Sequence, residues 1–366
     1  MSENNASENV GHLVQGTKDL NADIAFLSDL GFRLDHIYPT DDPKVGILSG
    51  HNFSIRLDVS EKLNPAIIYL LTDDPEQLGG VGNSLLAPNG TRINILEKTY
   101  HLIQPTTKHK FEVRKLKDGE PWMIGRAGMQ YRDLIPDRLG GSIIASHIRI
   151  PKGGPVPDVV HYHTIGFQLI FCYRGWVKLV YEDQGPPFQL NAGDCVIQPP
   201  EIRHQVLEAS DHLEVIEIGV PSDHMTTIDH EMKLPTQTYR PDRIFQDQKF
   251  CRHQVKDAVW QPSRIVGLEQ RDSGIYNATK GVASVVVMRP SSTGVSTKSQ
   301  HNSDILFSFV MEGSFNLSAD GYGLERVHAG EAFVVPPSFE YEISEVTDDF
   351  ELLEVALPGI YTEAPV

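Results

Sequence analysis

Two histidines, His161 and His163, flank a tyrosine in the stretch HYHTIGFQLIFCYRG at 161–175. Side chains two apart on a strand share a face, so both imidazoles can converge on one metal ion. Gln168 has the wrong parity for that strand, but the TIG segment, with Gly166, offers a turn that brings it onto a facing strand. Later, GDCVIQPPEIRH delivers His204 eleven residues after Gly193. The Gly-Asp pair makes a tight turn, Pro199 and Pro200 bend the exit, and His204 starts a new strand. Three neutral imidazoles leave a divalent ion its full charge, and the amide oxygen of Gln168 is a weak ligand at best. Gln168 is therefore expected either to ligate loosely or to hydrogen-bond a bound water or substrate. Such a set suits a hard-to-borderline ion (Fe²⁺, Mn²⁺, Ni²⁺ or Zn²⁺) with two or three open positions. It would favour an anionic chelator such as an enolate, catecholate or 2-oxo acid and activate it as a Lewis acid. The competing reading is a barrel whose histidines line a metal-free pocket.

Neighbouring residues extend the candidate site. His147 and Arg149 alternate on ASHIRI, so they share a face; if it is the interior one, Arg149 could grip a substrate carboxylate with two parallel hydrogen bonds. Glu201 and Arg203, beside His204, read as rim residues, with Glu201 a candidate general acid or base. Cys172 reads as a small buried apolar residue. Arg132 and Asp133 read as a structural ion pair, and Tyr131 as a residue with an open pocket role. DHMTTIDHE (223–231) reads as a solvated linker despite its two histidines.

These residues need strands to position them. GMQYRD (128–133) recurs as GLEQRD (267–272), and Pro199-Pro200 as Pro336-Pro337. Gly175 and Gly193 recur as Gly313 and Gly330 at nearly the same offset, a period that means a duplicated domain. Short alternating runs such as SIIASHIRI, WVKLVYED, ASVVVMRP and SFNLSAD, broken by Gly, Pro and Asp, predict two small β-barrels or sandwiches. In the second copy the site positions hold Ser299, His301, Leu306 and Tyr341, which predicts a metal-free barrel. Upstream, Leu20, Ile24, Leu27 and Leu30 predict a helix stopped by Gly31, and strands are predicted at 32–38, 45–48 and 53–57, with PTDDP as the first turn.

Composition limits what such a protein does. The chain has 366 residues, 40% apolar and 22% charged, which predicts two or three domains. A net charge of −17 argues against nucleic acid and anionic membrane as partners. No apolar run reaches the length of a membrane span. Three scattered cysteines fit a reducing cytoplasm, and the polar start, without basic or apolar regions, is read as a tail rather than a targeting signal.

The histidine spacing, with its flanking glycines, resembles the cupin superfamily. Glutamine stands at 168 in place of the usual glutamate, and Glu201 stands where glycine is common. The resemblance implies a mainly β chain of two tandem cupin barrels (double-stranded β-helices), at 128–235 with the metal site and at 236–366 without one. Residues 11–100 resemble the glyoxalase/vicinal-oxygen-chelate superfamily, an α+β domain, with one module through FLSDLGFRL and SGHNFSIRLD and a weaker second one from NPAIIYLLTDD to APNGTRINIL. In that territory His12, His36 and His51 lack a convincing acidic partner. Residues 1–10 are expected to be a tail and 101–127 a linker with some strand content. What the cupin resemblance implies is a metal site on His161, His163 and His204, with iron expected first, and a dioxygenase acting on a small, oxygen-rich, anionic compound. A redox-silent isomerase or lyase and a non-catalytic ligand-binding bicupin remain as alternatives, and a homodimer is expected.

Overall fold

The computed structural model describes residues 11–39, 43–99, 101–119, 122–291 and 294–359, so the tail at 1–10 and most of the PTDDP turn lie outside the described residues. The chain divides into two compact units, 1–101 and 102–366.

In the first unit a helix, Leu20–Asp29, follows the strand Leu13–Gly16 and precedes the strands Arg33–Tyr38, Val45–Gly50 and Phe53–Asp58. Asp19 starts the helix by accepting the Ala22 N–H, and Leu20, Leu27 and Leu30 are buried as their spacing predicts. The four strands form one sheet in which Leu13–Gly16 runs parallel to Phe53–Asp58. The second half repeats this in shortened form: Ile67–Thr72 runs parallel to Arg92–Glu97, Ser84–Leu86 completes the sheet, and a single 3₁₀ turn, Pro75–Leu78, stands where a helix would. His51 bonds the Leu30 carbonyl and His12 bonds Ser54.

The second unit carries the duplication. Its front half has a seven-stranded sheet, ordered Cys251–His253, Cys195–Ile197, Phe167–Arg174, Leu213–Val220, Ile144–Ile150, Gln130–Asp133 and Met123–Ile124. Facing it is a sheet ordered Phe188–Asn191, Trp176–Tyr181, His204–Ala209, His161–Thr164 and Met225–Ile228. The rear half repeats the scheme around Ile305–Glu312 and Glu351–Leu357.

Strand alternation explains how the halves join. On Phe167–Arg174 the odd residues Phe167, Leu169, Phe171 and Tyr173 pack with Phe307, Phe309 and Met311 in one core between the barrels. Even positions face the front lumen, where Ile170 and Cys172 meet Leu179, Val177 and Val215. Each fully buried Phe or Leu in the shared core is worth about 1.5–3 kcal/mol, so the two barrels have no reason to separate.

The barrels also exchange strands. Glu112–Arg114, from the segment read as a linker, pairs with Ala332–Val334 of the rear barrel, and Cys251–His253 pairs with Cys195–Ile197 of the front one. Each exchanged strand ends in a turn whose N–H groups meet the other barrel: Val255 donates to Asp194 and Leu116 to Glu331. The repeated arginines are reciprocal too. Arg132 donates to the Gly330 carbonyl at 2.6 Å and Arg271 to the Gly193 carbonyl at 3.0 Å. This corrects the expected Arg132–Asp133 pair: Asp133 instead holds Arg138 and the Ile135 N–H. A buried guanidinium here ties one half to the other, which is why the sequence repeats it.

Candidate metal centre

His161 and His163 sit on the strand His161–Thr164, and His161 pairs in register with His204 on the adjacent antiparallel strand. Gly166 then donates its N–H to Val220, and the chain crosses to the facing sheet, which puts Gln168 opposite Gly219. One potential ligand atom from each of His161, His163 and His204 lies within 4.8 Å of the others, and all three side chains are buried. Among the described residues this is the one such histidine, cysteine or acid group.

Hydrogen bonds on the far side of each ring fix which nitrogen is offered. His161 Nδ1 lies 2.7 Å from the Val159 carbonyl and His204 Nδ1 3.0 Å from the Ile202 carbonyl. A carbonyl only accepts, so Nδ1 carries the hydrogen in both rings and Nε2 keeps its lone pair. His163 Nδ1 meets the Thr226 hydroxyl at 2.8 Å. Ring centroids stand 4.2–5.2 Å apart. Aiming imidazole lone pairs at one another in a buried place is unfavourable without a cation between them, so this donor set fits a divalent metal.

Gln168 adds to the fit. Its amide nitrogen donates to Glu217 at 2.6 Å, and since a carboxylate only accepts, the amide cannot be turned round. Its Oε1 is buried without a hydrogen-bond partner among the described residues. A carboxylate is therefore present after all, one strand away from the position where the cupin pattern has it. Sequence reasoning missed Glu217, yet a signal existed: it is an acid inside the apolar run LEVIEIGV and recurs as Glu354 in ELLEVAL.

The cavity beside the histidines has about 70 Å³ open to the centres of water-sized molecules. His163, His204, Gln198, Tyr131 and Glu217 line it together with aliphatic side chains that include Ile148 and Ile150. Gln198 donates to the Tyr181 hydroxyl at 2.9 Å, and that phenol, stacked on His204, is pushed up by complete burial and stays protonated.

Two expected catalytic residues stand elsewhere. Because Ile148 and Ile150 line the cavity, Arg149 between them takes the outer face, where it donates to Gln130 at 2.7 Å and stacks 4.0 Å from the Trp122 ring centroid. It therefore cannot grip a substrate in the lumen. Its neighbour His147 accepts from Arg132 at Nδ1 and donates from Nε2 to Glu214 at 2.6 Å, a neutral imidazole locked between charges. Glu201 does not line the cavity either. Its φ of +64° is the left-handed conformation that glycine adopts freely, and its N–H donates to the His163 carbonyl. Its position shapes the loop before His204. The thiol of Cys172 is pushed up to about 12 by burial, so it stays an apolar filler. The segment 223–231, expected to be a solvated linker, instead supplies the strand Met225–Ile228, which pairs along all of His161–Thr164 and places Thr226 against His163.

The rear barrel shows what fills the equivalent place. At the positions matching His161, His204 and Glu217 stand Ser299, Tyr341 and Glu354, and the Arg264 guanidinium lies among them. It is bonded to Glu354 and 3.5 Å from both hydroxyls. His301 donates to the Val335 carbonyl, and Phe315, Leu317, Val327 and Phe333 fill the lumen. A built-in cation thus stands where the front barrel aims its ligands.

No family model matches the chain, and no curated protein matches it in sequence. Solved structures match it in fold. Oxalate decarboxylase of Lactobacillus farciminis, as a formate complex, superposes with a TM-score of 0.53 at 14% identity, over 72% of this chain and 92% of that one. A single-site mutant of salicylate 1,2-dioxygenase from Pseudoaminobacter salicylatoxidans gives 0.54 at 15% identity, over 72% and 90%. Oxalate decarboxylase from Bacillus subtilis gives 0.52 at 10% identity, over 73% and 80%. The fold is a bicupin. At these identities the likeness establishes the architecture of this bicupin and leaves its chemistry to its own residues. None of these structures assigns a family to the N-terminal unit.

Proposed function

We propose that this bicupin is a metal-dependent enzyme whose front barrel holds one divalent ion on His161, His163 and His204, most simply an iron-dependent dioxygenase of a small chelating compound. The observation that carries the reading is the convergence of three buried histidines, two of them with Nδ1 committed to backbone carbonyls. Thr226 orients His163, and Gln168, its amide pinned by Glu217, offers a neutral oxygen as a weak ligand or as an acceptor for a bound water. Bound there, the ion would supply Lewis acidity and, if it is iron, one-electron chemistry with oxygen. The aliphatic walls exclude water around the reacting group, and the Gln198–Tyr181 pair keeps a neutral phenol beside His204. The strand register and second barrel support a rigid frame for this set.

A second reading, a redox-silent isomerase or lyase, is favoured by one feature: the Glu217 carboxylate lines the cavity and is placed to accept a substrate proton. Oxygen-electrode traces on Fe²⁺-loaded protein, with a panel of chelating substrates, separate the two. Substrate-dependent oxygen uptake supports the dioxygenase; turnover without uptake, equally good with Zn²⁺ or Mn²⁺, supports the second reading. Metal content in His161→Ala and His163→Ala equal to that of the parent protein would reject both.

A further inference from the structure

We infer that the ligand of this site is a compact chelator with an apolar body and no more than one negative charge, rather than a small oxygen-rich dianion. The inference rests on the metal reading above. No lysine or arginine is among the described residues that line the cavity, and the cation expected there, Arg149, is bound to Gln130 and Trp122 on the outer face. The one charged side chain in the lining is Glu217. A divalent ion, set against the Glu217 carboxylate in the wall and the buried Asp158 carboxylate 3.7 Å from His161 Nδ1, leaves at most one positive charge to balance. A monoanion cancels it, whereas a dianion leaves a net negative charge among Ile148, Ile170, Leu179, Val206 and Val215, in a wall without a lysine or arginine to balance it.

Size and wall chemistry agree with this. About 70 Å³ for the centres of water-sized molecules, at about 10–15 Å³ each, accommodates on the order of five small groups. A two-oxygen head beside His163 and His204 leaves room for roughly three or four carbon atoms against the aliphatic wall. Those carbons gain free energy by leaving water, about fourfold in affinity per methylene group. A second carboxylate would find few donors: Gln198 already donates to Tyr181, and Gln168 to Glu217.

The test uses full-length protein loaded with Mn²⁺, its metal content measured before and after titration. Calorimetry then compares acetohydroxamate, propionohydroxamate and butyrohydroxamate, monoanionic chelating heads of growing apolar length, with oxalate. The expected result is an affinity that rises about fourfold with each methylene across the series, with oxalate weaker than acetohydroxamate. Metal present at one ion per chain, with a flat series or with oxalate binding most tightly, would overturn the inference and leave the metal reading standing. Protein that takes up no ion under loading overturns the metal reading, and the inference with it.

Discussion

Arg264 offers a quantitative check on the idea that both barrels need a cation at the same place. Its guanidinium is bonded to Glu354, and the two side chains are only 16% and 3% exposed, so solvent screens the pair little. Arg264→Met removes the guanidinium and strands a buried carboxylate, which costs about 3–5 kcal/mol. For a unit of this size each kcal/mol moves the melting temperature by about 2–4 °C, so a fall on the order of 10 °C is expected. Removing both charges, in Arg264→Met with Glu354→Leu, leaves an apolar lumen continuous with Phe315 and Leu317 and should recover most of that loss. Thermal melts followed by circular dichroism, at fixed metal concentration, read the effect, and metal analysis should find front-barrel occupancy unchanged. A single variant that loses less than about 1 kcal/mol, or a double variant no better than the single, would refute the reasoning.

Three further outcomes follow from particular residues. Burial pushes the pKa values of His147, His253 and His301 down, so the unfolded chain takes up protons below pH 6.5 that the folded chain refuses. Stability is complete above that pH and should fall as pH drops from about 7 to 5, by up to about 1.4 kcal/mol per unit for each histidine, with a shallower slope in His147→Gln; urea midpoints that stay flat would contradict it. Thr226→Val removes the hydroxyl that orients His163 and should weaken metal affinity about 10–100-fold, measured by competition with a chelator, and an unchanged constant would show that Thr226 does not set the ring. Glu201→Gly relieves a left-handed backbone and should keep the metal content unchanged and the stability within about 1 kcal/mol of the parent, whereas loss of metal would return a direct role to that carboxylate.

Much of the front site was legible because strand parity and turn residues carry it. His161 and His163 share a face, Gly166 turns the chain, Gln168 arrives from the facing sheet, and His204 opens a strand in register with His161. What escaped was information that pairing between distant strands creates. Glu217 lies 49 residues from Gln168, and only the antiparallel ladder between their strands brings them together. Arg149 went wrong for the same reason: alternation gives two faces but does not say which is interior until Ile148 is seen in the cavity wall. The exchanged strands Glu112–Arg114 and Cys251–His253 are too short to show a period, and Met225–Ile228 hides behind polar threonines at a sheet edge. Arg264 precedes the repeated GLEQRD segment, and its significance depends on Ser299, Tyr341 and Glu354 closing around it.

The most direct measurement is anomalous diffraction at a metal edge from crystals of the loaded protein. The account predicts one ion per chain, about 2.1 Å from the Nε2 atoms of His161, His163 and His204, and no ion beside Arg264. An ion bound elsewhere, or three histidines that stay empty under saturating metal, would contradict it.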